Sequence, residues 1–208
     1  IEGAVVSAQA LREQIAAGLE GAGAHASSKD PAWDAATGLW RAHSRLVGYM
    51  PDLVGRTRPV VPATAQLMAT LHRDVAGPLA VGGLISEAVV GCPRESAGLV
   101  ENVKTAFADG QLLEGRGLLE GRGLLEGGPG PNLGGQELRE RLEQIVALVD
   151  TPNLPALVRL ALVHAEMLTV RPFALANGAL GRLLVRHLSV RDGLDPTGVS
   201  VSDYYAGR

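Results

Sequence analysis

A chain of 208 residues with 46% hydrophobic and 20% charged side chains can bury one core with a small appendage, which excludes disorder over most of its length. Its net charge of −3 and 3% aromatic content provide neither a basic track for phosphates nor stacking platforms for bases, so nucleic acid is not an expected partner. One cysteine, Cys92, excludes an internal disulfide and a thiolate metal cluster and suits a reducing, cytoplasmic setting.

The most apolar run, residues 154–170, is broken by Arg159, His164 and Glu166 and falls short of the ~20 apolar residues that span a bilayer, so no membrane helix is expected. The chain starts at Ile1 and shows no basic n-region or cleavage pattern of a signal peptide, so a partial or processed, non-secreted chain is expected. Lysine occurs only at 29 and 104 while Arg, Ala, Gly and Leu abound, the bias of GC-rich bacterial genomes.

Helical periodicity dominates. Val5, Ala8, Leu11, Ile15 and Leu19 share one face, and Gly-rich residues 20–23 end that segment. Asp30-Pro31 is a cap and first-turn pair for a helix reaching Tyr49, with Trp33, Leu39, Trp40, Leu46 and Val47 along it. A third helix is expected from Pro62 to Val75, stopped by Gly77-Pro78. Residues 84–109 read as short helical pieces around Cys92-Pro93.

Residues 112–135 differ, for LLEGRG, LLEGRG and LLEGGP follow one another and four more glycines or prolines come close behind. Glycine costs about 1 kcal/mol per residue in a helix interior, so this stretch reads as a loop. Beyond it, Leu138, Leu142, Ile145 and Val146 form the stripe of an amphipathic helix over residues 136–149. Residues 153–170 are apolar nearly all round and are expected at the centre of the domain, packed on several sides. Residues 171–176 form a turn, since Pro172 disfavours helix at Arg171, and a last helix runs from Asn177 to Arg191 with Gly193 closing it.

This last turn carries the chemistry. Asn177 is a strong N-cap type, Gly178 allows close approach to the backbone, and the first N–H groups of the helix point into the turn, where they favour an anion. Arg171 and Arg182 are placed to add positive charge. The candidate site is therefore Arg171, Asn177, Gly178 and Arg182, with no catalytic residue and no metal ligand among them.

The segment VHAEMLTVRPFALANGALGRLLVRHL resembles the signature of the Fic (filamentation induced by cAMP) family, H-x-F-x-[DE]-G-N-G-R-x-x-R between two central helices. LMATLHRDVAG at residues 67–77 resembles the family's early helix, and the resemblance spans roughly residues 60–196. It implies an all-α orthogonal bundle of Fic type over residues 60–208, preceded by an N-terminal helical region at 1–59, with a small β-hairpin flap between residues 78 and 130.

Position by position, Arg171 stands at the family's catalytic histidine, Leu175 at its metal-binding acid, Ala176 at its first glycine and Ala179 at its first arginine. Pro172, Phe173, Asn177, Gly178 and Arg182 match. A general base is worth ~10²–10⁴ in rate, and a guanidinium cannot accept the proton that the histidine would. Leu175 cannot ligate Mg²⁺, which takes oxygen.

The implied function is a catalytically silent Fic-like module that binds a protein partner or a small phosphate-bearing ligand, with no cofactor. The alternatives are residual nucleotidyl or phosphoryl transfer to protein hydroxyls, the one case that needs ATP and Mg²⁺, and a structural subunit of a larger assembly. The family's inhibitory helix, [ST]-x-x-x-E-[GN], has its nearest match at residues 105–110, where Asp109 replaces the glutamate and an ordinary helix end is the better reading. His164 reads as a core histidine bonded to backbone. Arg182, Arg186 and Arg191 read either as a solvated face or, for Arg182, as part of the site.

Overall fold

Among the described residues, Pro31 opens the first helix with defined bounds, α1 (Pro31–Tyr49), where a residue without an N–H forfeits no helical hydrogen bond. The computed structural model describes residue 13 and residues 31–49, 61–95 and 133–194. Over these the protein is all-α. The expected segments at 5–19 and 112–132 and the inhibitory-helix match at 105–110 lie outside the described residues, apart from the helical residue Glu13.

α2 (Ala65–Val81) starts at Thr64, whose Oγ1 accepts from the Leu67 amide at 3.1 Å. The expected stop at Gly77-Pro78 does not occur, and the helix continues for another turn. Pro78 and Leu79 are both buried, so core packing holds the turn that a proline would end in isolation. The helical pieces expected after it reduce, within the described residues, to a single 3-10 turn at Glu87–Val89, capped by Ser86. No strand occurs among the described residues. In the window expected to hold a hairpin, residues 78–95 are helix end, turn and coil, and the remainder lies outside the described residues.

α3 (Gly135–Val149) buries the expected stripe of Leu138, Leu142 and Ile145, extended by Val149. α4 (Ala156–Val170) and α5 (Asn177–Arg191) follow as a packed pair joined by the turn. α2 packs on α1 and α5, and α3 on α4. The α1–α2 contact is close enough that a Cβ on Gly38 would sit 2.1 Å from the Val75 carbonyl oxygen. Buried residues of all five helices, with Phe173 and Leu175 from the turn, join one core.

The reading of α4 as surrounded on several sides needs correction. Leu160, Val163, Met167 and Val170 are buried, but Leu157 is 69% exposed, and Val158, Ala161, Leu162 and Ala165 lie open on the same face. α5, expected at the centre together with α4, does hold an inner position, with Leu180, Leu183, Leu184, His187 and Leu188 all buried. Among the described elements, α4 meets only α3 and α5 extensively, whereas α5 also meets α1 and α2. Among the described residues no helix is long and apolar enough to cross a membrane.

Candidate functional site at the turn between α4 and α5

Phe173 anchors the turn in the core, and Asn177 fixes its shape from within. Asn177 is 2% exposed. Its Oδ1 accepts from the Phe173 amide at 3.0 Å, and its Nδ2 donates to the Phe173 carbonyl at 2.9 Å. This corrects the expectation that Asn177 is the N-cap: the cap is Ala176, which offers no side-chain bond, and Asn177 is the first helical residue. A buried carboxamide satisfies more by bonding both polar groups of one residue than by capping a single amide.

Two residues other than glycine hold left-handed backbone here, Arg171 at φ 46 and Ala176 at φ 59. Each costs ~1–2 kcal/mol against a right-handed alternative, so the surroundings must enforce them. Ala176 occupies the position where the Fic-like pattern has glycine, the residue that adopts such a conformation freely.

The enforcement comes from two residues distant in sequence. Arg94 donates from Nε to the Arg171 carbonyl at 2.7 Å, from its guanidinium NH₂ to the Val170 carbonyl at 3.0 Å, and from its backbone amide to the Pro172 carbonyl at 2.9 Å. His72, fully buried, stacks on Phe173 with ring centroids 4.3 Å apart. Its Nδ1 accepts from the Gly91 amide at 2.8 Å, which leaves Nε2–H to donate to the Leu175 carbonyl at 3.3 Å. Burial lowers the His72 pKa from 6.5 to about 4; the Leu175 bond opposes this and the Arg73 charge assists it. The ring is neutral at physiological pH.

The four candidate residues do not share equally in the site. Arg182 lies along the start of α5: its guanidinium nitrogen is 3.6 Å from the position a Cβ on Gly178 would take, so it borders the first turn. Leu180 is the first residue whose amide bonds back to the turn, to the Ala176 carbonyl at 2.9 Å, and the amides of Asn177, Gly178 and Ala179 precede it. Arg171 faces the other way in part, its Nε donating to the Leu168 carbonyl at 3.3 Å near the end of α4. Gly178 and Arg182 are thus brought together, Asn177 serves as the internal brace, and Arg171 is engaged with α4.

His164 is half-buried, and its buried Nε2 has no hydrogen-bond partner, which corrects the expectation of a backbone bond at that nitrogen. Its ring lies on Gly181, where a Cβ would come within 2.9 Å of Cδ2. Burial lowers its pKa, and the Arg182 charge lowers it further. Nor are Arg186 and Arg191 of α5 a solvated face. Arg191 pairs with Asp150 and Asp192, each at 2.8 Å, and Arg186, half-buried, donates to His43 of α1.

The donor set does not fit a Mg²⁺–nucleotide centre of the kind the resemblance implies. Leu175 is 1% exposed with an apolar side chain turned into the core, and its carbonyl is already bonded by His72. Sequence reading missed His72 and Arg94 as parts of this region. A histidine in the apolar stripe of α2 was a signal available for the first, but nothing local marks Arg94. A scan against protein-family models finds no match to the chain, and a search of curated proteins finds none.

Proposed function

We propose that the protein is a Fic-like domain without catalytic chemistry that binds a phosphate-bearing ligand, free or displayed by a protein partner, at the N-terminus of α5, in a cytoplasmic setting. The carrying observation is the guanidinium of Arg182 beside Gly178, which adds a permanent cation to a helix start that already favours negative charge. Arg171 in place of a base and buried Leu175 in place of a metal ligand support binding without turnover.

A helix terminus contributes ~0.3–1 kcal/mol when exposed and up to about 2 when partly buried, so affinity for inorganic phosphate belongs in the millimolar range. Titration with phosphate, followed by amide NMR, should move the signals of residues 177–182. Unmoved amides at tens of millimolar phosphate would remove the reading. Incubation with labelled ATP, Mg²⁺ and a mixed lysate should leave no label on any protein. Labelling abolished by Arg171→Ala would replace the silent module with the residual transferase.

The open face of α4 favours a second reading, a structural subunit, because Leu157, Val158 and Leu162 form one apolar stripe with Ala161 and Ala165. Under that reading Leu157→Glu disrupts assembly and leaves the phosphate response of α5 intact.

A further inference from the structure

Arg94 sits where four parts of the molecule meet, and its position is set independently of the turn it holds. Its carbonyl accepts from the Gly135 amide at the start of α3 at 3.2 Å, and the neighbouring Glu95 pairs with Arg139 of α3 at 2.8 Å. Three residues earlier, Gly91 donates to His72 of α2. From this footing Arg94 reaches the end of α4 and engages the carbonyls of Val170, Arg171 and Pro172 in succession. These are acceptors that a helix leaves without internal partners as it ends, and a guanidinium is the side chain that can meet two of them at once while complementing the negative end of the helix.

From the other side His72 takes the Leu175 carbonyl, and Asn177 takes both polar groups of Phe173. The carbonyls of residues 170, 171, 172, 173 and 175 are therefore all bonded by side chains or backbone from outside the two helices' own ladders. A turn with left-handed residues at 171 and 176 keeps that shape only while such partners persist.

We infer that Arg94 is a positioning residue for the anion site: by clamping residues 170–172 it fixes how the turn delivers the first amides of α5 and the guanidinium of Arg182 to a phosphate group. The inference rests on the reading of the α5 terminus as a phosphate site, and it adds the residue that sets that site's affinity without touching the ligand. Removal of the clamp leaves Gly178 and Arg182 chemically intact and lets the turn between α4 and α5 relax.

Two readouts test it separately. In Arg94→Ala, hydrogen exchange at the amides of Arg171, bonded to the Met167 carbonyl at the end of α4, and of Phe173, bonded to Asn177 Oδ1, should quicken about tenfold or more, as expected for the loss of a charge-assisted hydrogen bond. The dissociation constant for inorganic phosphate should rise about threefold or more with it, and Arg94→Lys, which retains the cation at the α4 end, should recover part of both effects. Unchanged exchange in Arg94→Ala overturns the clamp, whatever happens to phosphate. Quickened exchange with unchanged phosphate affinity also overturns it, since the turn would then not govern the site.

If the intact protein binds no phosphate, the phosphate reading fails, while the exchange measurement still decides whether Arg94 holds the turn. Should Arg94→Ala not fold, Arg94→Lys and the Arg94 Hε signal of the intact protein carry the test. Slow exchange at Hε supports the bond to Arg171, and exchange as fast as in a solvated arginine overturns it.

Discussion

At its C-terminal end α5 closes in a Schellman turn, with Gly193 at φ 71, the Leu194 amide on the Ser189 carbonyl at 2.8 Å and the Gly193 amide on Val190 at 3.1 Å. At its N-terminal end it starts from Ala176 at φ 59 with no side-chain cap. The same left-handed geometry is met by glycine at one end and by a strained alanine at the other. The C-terminal turn is closed by bonds among its own residues, and Asp192 beside it accepts from Arg191 at 2.8 Å and from Arg159 of α4, 33 positions away, at 2.6 Å. Burial would raise the Asp192 pKa, but these two arginines outweigh it and hold the carboxylate below its ordinary range. The N-terminal end depends on Arg94 and His72, from far along the chain. Strain retained at one end only, and held there by distant residues, is the pattern expected where a conformation serves more than stability.

The largest expected effect is at Leu175, where the Fic-like pattern has an acid. Leu175→Asp places a carboxylate in a site 1% exposed, next to a carbonyl already occupied by His72, and should destabilise the fold by roughly 4 kcal/mol at neutral pH. Urea denaturation measures it. A loss under about 1 kcal/mol would mean that the turn opens to water and that its two sides are not as unlike as described.

His72 gives the next effect, through pH. Its folded pKa of about 4 lies below the 6.5 of the unfolded chain, so between those values the unfolded state binds a proton that the folded state refuses. The stabilising contribution is complete above 6.5, is lost as pH falls toward 4, and amounts to about 3 kcal/mol. Burial lowers the pKa of His164 and His187 also, so both act in the same direction. Denaturation midpoints between pH 7.5 and 4 should fall steeply in the parent and less in His72→Gln. Equal slopes would remove His72 as the brace of the α5 start.

Much of this architecture was legible because it is written locally. The stripe Leu138, Leu142, Ile145 predicts α3, Pro31 opens α1, and Gly193 closes α5, each through physics confined to one or two turns. What was not legible is tertiary. The extension of α2 past Pro78 depends on burial of Leu79, and the open face of α4 depends on which helices reach it. In the candidate site, Gly178 and Arg182 follow from helical spacing. In sequence Asn177 reads as a cap because a capping residue and a residue that bonds back four positions have the same sequence signature, and Arg94 is separated from Arg171 by 77 positions.

Asn177 supplies the third effect. Asn177→Ala leaves the amide and carbonyl of Phe173 buried without their partner, and a loss of about 2 kcal/mol follows, greater than the ~1 kcal/mol typical of an ordinary N-cap. A loss confined to a few tenths of a kcal/mol would return Asn177 to the capping role and leave the turn without its internal brace.

The smallest effects compare the two left-handed positions directly. A Cβ on Gly193 would meet nothing within 4 Å, so Gly193→Ala isolates the backbone penalty and should cost ~1–2 kcal/mol. Ala176→Gly relieves the same penalty at the other end, but it also removes a methyl that is 2% exposed, worth ~0.8 kcal/mol, and adds ~0.4–1 kcal/mol of unfolded-chain freedom. These terms nearly cancel, so the net change should fall within about 0.5 kcal/mol of zero. What should change is the local behaviour: glycine admits other turn conformations, so exchange at the Leu180 amide, which bonds to the residue 176 carbonyl, should quicken although global stability is constant. A gain near 1 kcal/mol would mean that strain at Ala176 outweighs its packing, and a loss above 1 kcal/mol that packing alone explains the alanine. In the latter case the two ends of α5 differ in burial and not in stored strain, and the argument from strain to function at this turn falls.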